Sequence, residues 1–409
     1  MIMKQRLAPP AVFIMCLAVL LCLVARSPAA DWPNWRGPNH DGISAEKDWQ
    51  TEWPAAGPKV LWKAPLGTGF SSFAVADGGV FTMGNSDDQD SVICLDADSG
   101  KELWRHSYPE PMAPKLYEGG PNASPTVEGT RVYTLSRSGK LFCLDTRSGD
   151  VNWARNLVEE FGIETAKGNH WGLSGSPLVQ GNLLIVNAGR AGMAFEKASG
   201  KLVWETGKAA AAYATPVPMM MGGKQAVLVF ASKALVALEV STGHELWAYP
   251  WETSYDINAA DPIVDGSRIF ISSGYGHGAA LLDVADGKPV LVWENKNMRN
   301  KMNGSVLIQG HVYGCDEKKL TCVDLNTGEK KWANGASGQG SLMAANGKLI
   351  ILSEKGELII AEASPEAFQP ISRAQVLGGR CWTVPVLANG RIYARNAEGG
   401  MVCLDVRAK

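Results

Sequence analysis

The chain has 409 residues, with 39 basic and 41 acidic side chains and a formal net charge of −2. This length allows one large domain or two ordinary ones. The slightly acidic balance argues against nucleic acid as a partner, because such partners favour a basic face. The 14 Trp and 45 Gly are high numbers for this length, and they suggest a repeat in which both residues recur.

The first 30 residues have the pattern of a secretory signal peptide. Lys4 and Arg6 precede an apolar run at 11–25, and small residues follow at 29–30. The run is shorter than the roughly 20 residues that cross a bilayer, so we predict cleavage and no membrane span in the mature protein. We therefore predict an exported monomer in the periplasm or cell envelope.

A short motif of an acidic residue, a Gly-containing turn and a Trp recurs along the rest of the chain. CLDADSGKELW (94–104) returns as CLDTRSGDVNW (143–153), AFEKASGKLVW (194–204), ALEVSTGHELW (237–247), LLDVADGKPVLVW (281–293) and CVDLNTGEKKW (322–332). A seventh copy at 360–370 lacks both Gly and Trp, and an eighth, CLDVRAK, stops at residue 409. The acidic positions lie 38 to 51 residues apart, which is the spacing of propeller blades with four short strands.

The remaining strands of each blade lie upstream of each motif. SPTVEGTRVYTLSRSGKLFCLD (124–145) alternates with period two between hairpin turns, and only NLVEEFGIETA (156–166) has helical periodicity. The last copy lacks its outer strand, while GPKVLWKAP (57–65) is an unpaired strand that ends with a Trp motif. Pairing the two closes the ring and removes an open edge. We predict an all-β, eight-bladed propeller.

This fold divides the chain into a signal peptide (1–30), an N-terminal extension packed on the propeller (31–56) and the propeller itself (57–409). Within each motif we expect the acidic side chain to cap the turn, Gly to supply a positive φ and Trp to pack between neighbouring blades. Cys315 and Cys322 fall on one predicted hairpin. A disulfide between them is left open, because their predicted register differs by one residue.

These copies resemble the PQQ-type propeller repeat, whose pattern runs Ala-x-Asp-x-x-Thr-Gly-Lys-x-x-Trp. The resemblance covers the chain from about Trp32 to its end. Stretches such as DWPNWRGPNHDG (31–42), HWGLSGSPLV (170–179) and GGRCWTVPVLANGRIYARN (378–396) are further similar to exported bacterial PQQ-like proteins related to the outer-membrane assembly factor BamB. That family implies a non-catalytic scaffold that binds a protein, envelope polymer or small ligand through its loop faces.

The same repeat also builds quinoprotein dehydrogenases, and the resemblance therefore implies an alternative. Those enzymes hold PQQ and calcium in the central funnel of the propeller. This chain departs from them because it has no adjacent pair of cysteines and no Cys-x-x-Cys-His haem site. Known nucleophile or zinc motifs are also lacking in the sequence. The sequence favours a scaffold and leaves the PQQ-dependent oxidoreductase as the alternative.

If the funnel binds a ligand, the loops that enter the first strand of each blade are where the site is predicted. Candidate calcium ligands are the side-chain oxygens of Asp256, Asn258 and Asp261. Arg299, Lys301 and Arg380 would hold an anionic quinone, sugar acid or carboxylate. Trp171 and Trp382 offer stacking surfaces, and the remaining candidates are Asn169, His170 and Tyr213. The competing interpretation is that these residues fill a water-containing channel and pack its rim.

Overall fold

The structure is a computed structural model that describes residues 30–114, 117–164 and 171–408. These residues form eight sheets of four propeller strands each, which confirms the predicted eight-bladed β-propeller. Apart from Ala30, the predicted signal peptide lies outside the described residues. The helix α1 (Leu157–Phe161) lies within the one segment that has helical periodicity. None of the helical segments in the described ranges has the length and apolar character that a bilayer crossing requires.

Each blade runs from a short inner strand beside the axis to an outer strand at the rim. Two strands precede the first full blade, β1 (Ile43–Ser44) and β2 (Lys59–Pro65). Blades 1 to 4 comprise β3 (Ala74–Ala76), β4 (Gly79–Ser86), β5 (Gln89–Asp96), β6 (Glu102–Pro109); β7 (Thr126–Glu128), β8 (Arg131–Leu135), β9 (Lys140–Asp145), β10 (Val151–Asn156); β11 (Leu178–Gln180), β12 (Leu183–Val186), β13 (Met193–Glu196), β14 (Leu202–Glu205); and β15 (Val217–Met221), β16 (Lys224–Phe230), β17 (Ala234–Glu239), β18 (Glu245–Pro250).

Blades 5 to 8 continue in the same order, with β1 added to the inner edge of blade 7 and β2 forming the outer strand of blade 8. Their strands are β19 (Ile263–Asp265), β20 (Arg268–Ser273), β21 (Gly278–Asp283), β22 (Val290–Asn295); β23 (Val306–Ile308), β24 (His311–Asp316), β25 (Lys319–Asp324), β26 (Lys330–Asn334); β27 (Ser341–Ala345), β28 (Lys348–Leu352), β29 (Glu357–Glu362), β30 (Gln369–Gln375); and β31 (Val386–Ala388), β32 (Arg391–Arg395), β33 (Gly400–Asp405). A short 3-10 turn, Gly335–Ser337, follows blade 6.

Pairing of the two chain ends closes the ring as predicted. Strand β2 runs antiparallel to β33, with Trp62 opposite Cys403. The closing junction also contains a fully buried cation, Arg395. Its guanidinium donates to the blade 1 carbonyls of Ser71 and Met83 and to the carbonyl of Gly67. Burial lowers the pKa of Arg395 to about 9, so the group stays charged at neutral pH and binds the last blade to the first.

The repeated Trp joins each blade to the next one. Its ring packs between the blades, where it is buried or, for Trp293 and Trp332, half-buried. Its indole N–H donates to a backbone carbonyl one or two residues after the acidic residue of the following blade. The pairs are Trp62–Ala97 (3.0 Å), Trp104–Thr146 (2.8 Å), Trp153–Lys197 (3.1 Å), Trp204–Val240 (2.8 Å), Trp293–Leu325 (2.9 Å) and Trp332–Ser364 (2.9 Å). Among the described residues, Trp247 is the repeat Trp whose indole N–H has no partner.

The turn Gly is required for two reasons, of which the sequence indicates only one. Gly100 has a φ of +69°, which side-chain-bearing residues rarely adopt. A Cβ at this position would also lie 2.5 Å from the ring of Trp62. Gly149, Gly200 and Gly243 meet the preceding Trp in the same way. The Gly therefore lets the indole of one blade lie directly on the turn of the next.

The acidic residue of the motif caps its own turn, as predicted. Asp96 Oδ1 accepts from the backbone N–H and the hydroxyl of Ser99, and Asp145 Oδ1 accepts from the N–H groups of Arg147 and Ser148. The hydrogen bond from the Ser99 hydroxyl is the main cause of a lowered pKa at Asp96. These carboxylates are therefore structural caps, and the interpretation as metal ligands is not needed to explain them.

The N-terminal extension supplies the contact that the eighth junction lacks. Strand β30 has no Trp, and the segment around Trp49 lies there instead. The N–H of Gln50 donates to the carbonyl of Val406 (2.6 Å), which is the position that accepts indoles in other blades. Trp49 is buried in the same cluster as blades 7 and 8, and Trp53 donates its indole N–H to the Arg373 carbonyl of β30.

The six described cysteines are buried free thiols. Cys315 pairs with Leu320 across the hairpin, and Cys322 pairs with Tyr313. The two cysteines are therefore offset by two residues, not the one that the sequence suggested, and they are not bonded. Burial raises the pKa of Cys315 to about 11 and that of Cys322 to about 12, so both remain protonated side chains of the core.

A buried polar ladder crosses three strands of blade 1. Asn85, Asp90 and Tyr108 lie opposite one another on β4, β5 and β6, and all three are buried. The Asn85 amide donates to Asp90 Oδ1 (2.7 Å). Burial, with a contribution from the nearby Glu110 carboxylate, raises the pKa of Asp90 to about 7. Asp90 is thus a carboxyl group that this environment keeps partly protonated near neutral pH.

We predict that Gly100→Ala destabilises the protein more than Gly287→Ala does. Both glycines occupy the same motif column with positive φ, but a Cβ at Gly287 meets nothing within 4 Å. Both variants pay about 1–2 kcal/mol for the left-handed backbone, and only Gly100→Ala adds about 1–3 kcal/mol of overpacking against Trp62. Equilibrium denaturant unfolding of both variants measures the difference. Equal losses would contradict the packing role.

We predict that Asp90→Asn changes how stability depends on pH. The folded pKa of Asp90 is raised to about 7, so its protonation favours folding below about pH 4 and this contribution is lost as pH rises to about 7. Asp90→Asn should remove this dependence of stability on pH. Above pH 7 it should raise the free energy of unfolding by on the order of 1–3 kcal/mol. Thermal unfolding at pH 4 to 8 measures it.

Asp96→Asn provides the control of opposite sign for this experiment. The pKa of Asp96 is lowered, so the ionised group stabilises the fold above its unfolded pKa, and stability falls when the pH drops through its folded value. The variant should lose stability at neutral pH. A wild-type slope in Asp90→Asn would show that Asp90 does not titrate in this range.

Candidate functional site

The N-terminal extension crosses one mouth of the central channel. Trp32 pairs with Val75 of the inner strand β3, and the carbonyl of Pro33 accepts from Val127 of β7. Strand β1 then lies parallel to the inner strand β27. Each contact is made with an inner strand or the turn after it, on the side opposite the loops that enter the blades. One mouth is therefore covered by the protein's own chain.

Two side chains of the extension project into the channel. The Trp35 indole N–H donates to Asp261 Oδ2, and the Arg36 guanidinium lies 3.9 Å from the same oxygen. Arg36 also donates to the carbonyls of Ser305 (2.8 Å) and Asp41 (2.9 Å). Burial raises the pKa of Asp261, and Arg36, Trp35 and the Thr215 N–H oppose that shift. A buried ion pair thus holds the extension in the channel.

The ion pair lies beside a ring of residues around the axis, which we call the collar, at two positions that differ from those of the earlier blades. The collar consists of one residue from each blade. It is the residue two places before the inner strand at 72, 124, 176, 215, 261, 304 and 384, and in blade 7 it is Ser341, the first residue of β27. Backbone N–H groups donate to the side chain of the next collar residue in the pairs Ser72–Ser124, Ser124–Ser176, Ser176–Thr215 and Thr215–Asp261. Where the early blades have Ser or Thr, blade 5 has Asp261 and blade 6 has Gly304.

Gly304 explains how the guanidinium fits beside the collar. A Cβ on Gly304 would lie 2.7 Å from Arg36 Nη1, so the Arg36 side chain occupies the space of a collar side chain. Asp261 supplies the counter-charge next to it. Asp261 and Gly304, which stand where earlier blades have Ser or Thr, therefore form the docking site for the extension.

Above the collar lies a cavity that we call the cup, with a volume of about 120 Å³. Its floor contains Trp35 and the collar residues Ser176, Thr215 and Asp261. Its wall is built largely from the residue two places before each collar position, and this set comprises Phe70, Asn122, Ser174, Tyr213, Ala259, Met302 and Trp382. The cup is thus a blind cavity that opens towards the loops.

Four aromatic side chains, each from a different loop, form one side of the cup and its rim. Phe70 stacks on Trp382 with ring centroids 5.8 Å apart, and Tyr117 stacks on Trp171 at 4.8 Å. The two pairs meet edge to face, with 6.3 Å between Phe70 and Trp171 and 4.5 Å between Tyr117 and Trp382. Arg380 lies over the Tyr117 and Trp382 rings. This cluster gives the cup flat apolar surfaces that do not depend on a ligand for their position.

The three predicted cations have different environments. Arg299 binds Asp316 through two hydrogen bonds of 2.6 and 3.0 Å and does not line the cup. Arg380 is paired with Glu118 across the loops. Lys301 does line the cup, with its ammonium 4.8 Å from the centroid of the Tyr275 ring. Within the described residues, Lys301 has no carboxylate partner.

The proposed calcium ligands are engaged by other groups. Asp256 pairs with Lys233 (2.7 Å) at the surface. Asn258 is buried, donates to the Ala231 carbonyl and accepts from Ser273. Asp261 faces the Arg36 cation instead of a vacant coordination position. These residues therefore do not fit a calcium-dependent quinone site.

The remaining candidates divide between the cup and the part of the chain that is not described. Trp171, Tyr213 and Trp382 line the cup, while Asn169 and His170 lie outside the described residues. Their assignment to a ligand site stays a prediction. Sequence reasoning missed Phe70, Tyr275 and the position of Trp35 in the floor. Phe70 could have been found, because it occupies the same repeat position as Tyr213 and Trp382.

Comparison with known proteins identifies relatives in sequence and in structure. A sequence model of the family described as "Outer membrane protein assembly factor BamB" matches residues 47–120 and 114–334. BamB of Escherichia coli (strain K12) is 24% identical over 357 residues, which cover 73% of this chain and 87% of that protein. The crystal structure of BamB from Moraxella catarrhalis superposes with a TM-score of 0.65 at 18% identity, covering 85% of this chain and 99% of that one.

A quinoprotein enzyme has the same fold. Quinohemoprotein alcohol dehydrogenase from Comamonas testosteroni superposes with a TM-score of 0.68 at 12% identity, over 92% of this chain and 80% of that one. At this identity the similarity concerns the fold alone. It does not extend to the chemistry of the cup.

We predict that Asp261→Ser destabilises the protein, although Ser is the residue that several other blades have at this position. The change leaves the buried Arg36 without its counter-ion, which typically costs about 3–5 kcal/mol. The double variant Arg36→Met with Asp261→Ser should lose less, because no uncompensated charge remains. Denaturant unfolding measures both, with Thr215→Ser as a collar control that leaves Arg36 paired. A neutral Asp261→Ser variant would mean that the ion pair does not hold the extension.

Proposed function

Because the chain belongs to the BamB family, we propose that it is an exported, non-catalytic propeller that works in the cell envelope as a binding scaffold for another protein. Curated relatives are named as assembly factors of outer membrane proteins, and the predicted signal peptide agrees with export. The observation that carries the proposal is the asymmetry of the channel. One mouth is covered by the extension, while the other is surrounded by the loops that enter the blades.

The loop face is the surface formed by the segments that enter the blades, 66–73, 110–114, 117–125, 171–177, 206–216, 251–262, 296–305, 335–340 and 376–385, together with the β20–β21 turn at 274–277 on the same side. These segments differ in length and sequence from blade to blade, so the face has a specific shape on a regular scaffold. Tyr255 and Tyr275 stand on this side with 66% and 41% exposure and contact each other edge to face. Exposed tyrosines are typical anchors of protein interfaces. We infer that the partner binds across this pair.

The quinoprotein alternative is less well supported by the site. Its cofactor requires acidic and amide oxygens near the axis that are free to bind a cation. Asp261 instead binds Arg36 and Trp35, and Asn258 uses its amide group on backbone carbonyls and Ser273. The polar groups nearest the axis serve the fold, and this supports a scaffold over an oxidoreductase.

Site-specific photo-crosslinking in cells of the source organism tests the scaffold. A benzophenone side chain would replace Tyr255 or Tyr275 on the loop face, and Leu103, which is 57% exposed on an outer strand, as the matched control. We expect one reproducible protein adduct from the two Tyr positions and none from Leu103, because the loop face carries the binding surface. Absence of an adduct at both Tyr positions would contradict the proposed partner surface.

A second measurement addresses the alternative directly. Purified mature protein would be assayed for dye reduction with alcohols and sugars after incubation with PQQ and calcium. We expect neither dye reduction nor a rise in melting temperature. Quinone-dependent turnover would overturn the non-catalytic scaffold.

A further inference from the structure

We propose that the cup is a binding site for one ring of an acidic sugar, such as the terminal uronic acid of an envelope polysaccharide. This inference rests on the proposed function for the assignment of the loop face as the binding side. It adds a small-ligand site to the protein-binding surface. Four properties of the cup support it: its size, its aromatic walls, the orientation of its amides and its cation.

The size of the cup suits one sugar ring. Its volume of about 120 Å³ corresponds to roughly ten water molecules on the scale of one probe sphere per water. The cup is closed below by Trp35 and the collar, so a ligand enters from the loop face. A polymer could therefore place its end residue in the cup while the rest of the chain stays outside.

The walls offer flat apolar surfaces on opposite sides. Phe70 contacts both Trp171 and Trp382 within the aromatic cluster, and Phe70 and Trp382 come from the loops that enter blades 1 and 8. Tyr213 and Tyr275 line the cup from blades 4 and 5, which lie across the ring from those two. The ring hydrogens of a pyranose form an apolar face that packs against such rings, while its hydroxyl groups point outward along the ring edge. A sandwich of this kind selects a ring-shaped ligand over a flexible chain.

Two amide side chains favour hydroxyl donors. The amide nitrogen of Asn122 donates to the Trp171 carbonyl (3.1 Å) and to Ser174 Oγ (3.2 Å), and the amide nitrogen of Asn303 donates to the Trp382 carbonyl (2.7 Å). A backbone carbonyl can only accept, so these bonds fix which end of each amide is nitrogen. The Oδ1 atoms then remain as acceptors, without a partner in the described part of the chain.

The orientation of these two amides favours a sugar over a quinone as the ligand. Sugar hydroxyls can donate to both Oδ1 atoms. The carbonyl oxygens of a quinone only accept, and they would face further acceptors at these two positions. The polar pattern therefore matches a polyol better than a planar quinone acid.

Lys301 supplies the preference for an acid. Its ammonium lies at the wall of the cup over the Tyr275 ring, and no carboxylate of the described residues pairs with it. The other cation near the rim, Arg380, is already neutralised by Glu118. A carboxylate on the ligand would complete the coordination of Lys301 with a charge-assisted hydrogen bond.

Binding to the purified mature protein tests the inference. Trp35, Trp171 and Trp382 line the cup, so intrinsic tryptophan fluorescence and calorimetry report occupancy. The probes are glucuronate and galacturonate, with glucose and galactose as neutral counterparts and PQQ with calcium as the quinone. We expect saturable binding of at least one uronate, with its neutral counterpart roughly tenfold to a hundredfold weaker, as one charge-assisted hydrogen bond predicts.

Variants at Lys301 show whether the preference for an acidic sugar arises in the cup. Lys301→Met and Lys301→Gln should remove the preference for the acid and leave the weaker binding of the neutral sugar unchanged. Lys331→Met, on the exposed edge of blade 6, removes the same charge elsewhere and should behave as wild type. Melting temperatures show whether each variant is folded, and the Gln variant keeps the test valid if the Met variant does not fold.

Each outcome of this experiment decides for or against the inference. Equal affinity for acidic and neutral sugars would overturn the role of Lys301, and binding of PQQ in preference to sugars would overturn the ligand class. No binding of any sugar by folded protein would overturn the site. These results are independent of the crosslinks at Tyr255, so a failure here leaves the scaffold proposal standing, and the reverse also holds.

Discussion

The ring depends on one contact that recurs at five of its eight junctions between blades, in which an indole lies on a glycine turn and donates to a carbonyl beside it. The Trp153 ring, for example, covers Gly200 and bonds to the Lys197 carbonyl. A single four-stranded blade cannot bury both of its faces, so each blade needs a neighbour on either side. Because the contact combines apolar area with a satisfied N–H, it fixes both the distance and the rotation between blades.

The fold was predictable because this contact is local in sequence and repeats. The acidic residue, the Gly and the Trp lie within about a dozen positions of one another, and their recurrence shows the number of blades. Trp62 also reveals the closure, since it is a copy of the motif without its own turn. The repeat further indicates where a funnel-lining residue such as Phe70 lies, although only a comparison of columns would find it.

The site was less predictable because its decisive contacts are distant in sequence and not repeated. The pairing of Arg36 with Asp261 joins residues 225 positions apart, and nothing near either residue indicates it. Asp256 and Asp261 look alike in the sequence, but one pairs with Lys233 at the surface and the other binds the extension at the axis. Arg299 likewise resembles a ligand-binding cation until its bidentate bond to Asp316 is seen. The partner of each charged side chain depends on its neighbours in three dimensions, and the sequence pattern along one strand does not contain that information.

The position of the extension has a consequence for how the protein reaches its final state. Trp35 and Trp49 of the extension, and the strand β2 that follows it, find their partners in blade 5 and in blade 8, which ends with the last strand β33. If the chain is exported as we propose, with its N-terminus first, these segments emerge long before the residues that receive them. The aromatic N-terminal region then stays unpaired until nearly the whole chain has crossed, and contacts of such long range form slowly. Folding in the envelope would thus end with a single late event, in which the N-terminal segment closes the ring and covers the channel at the same time.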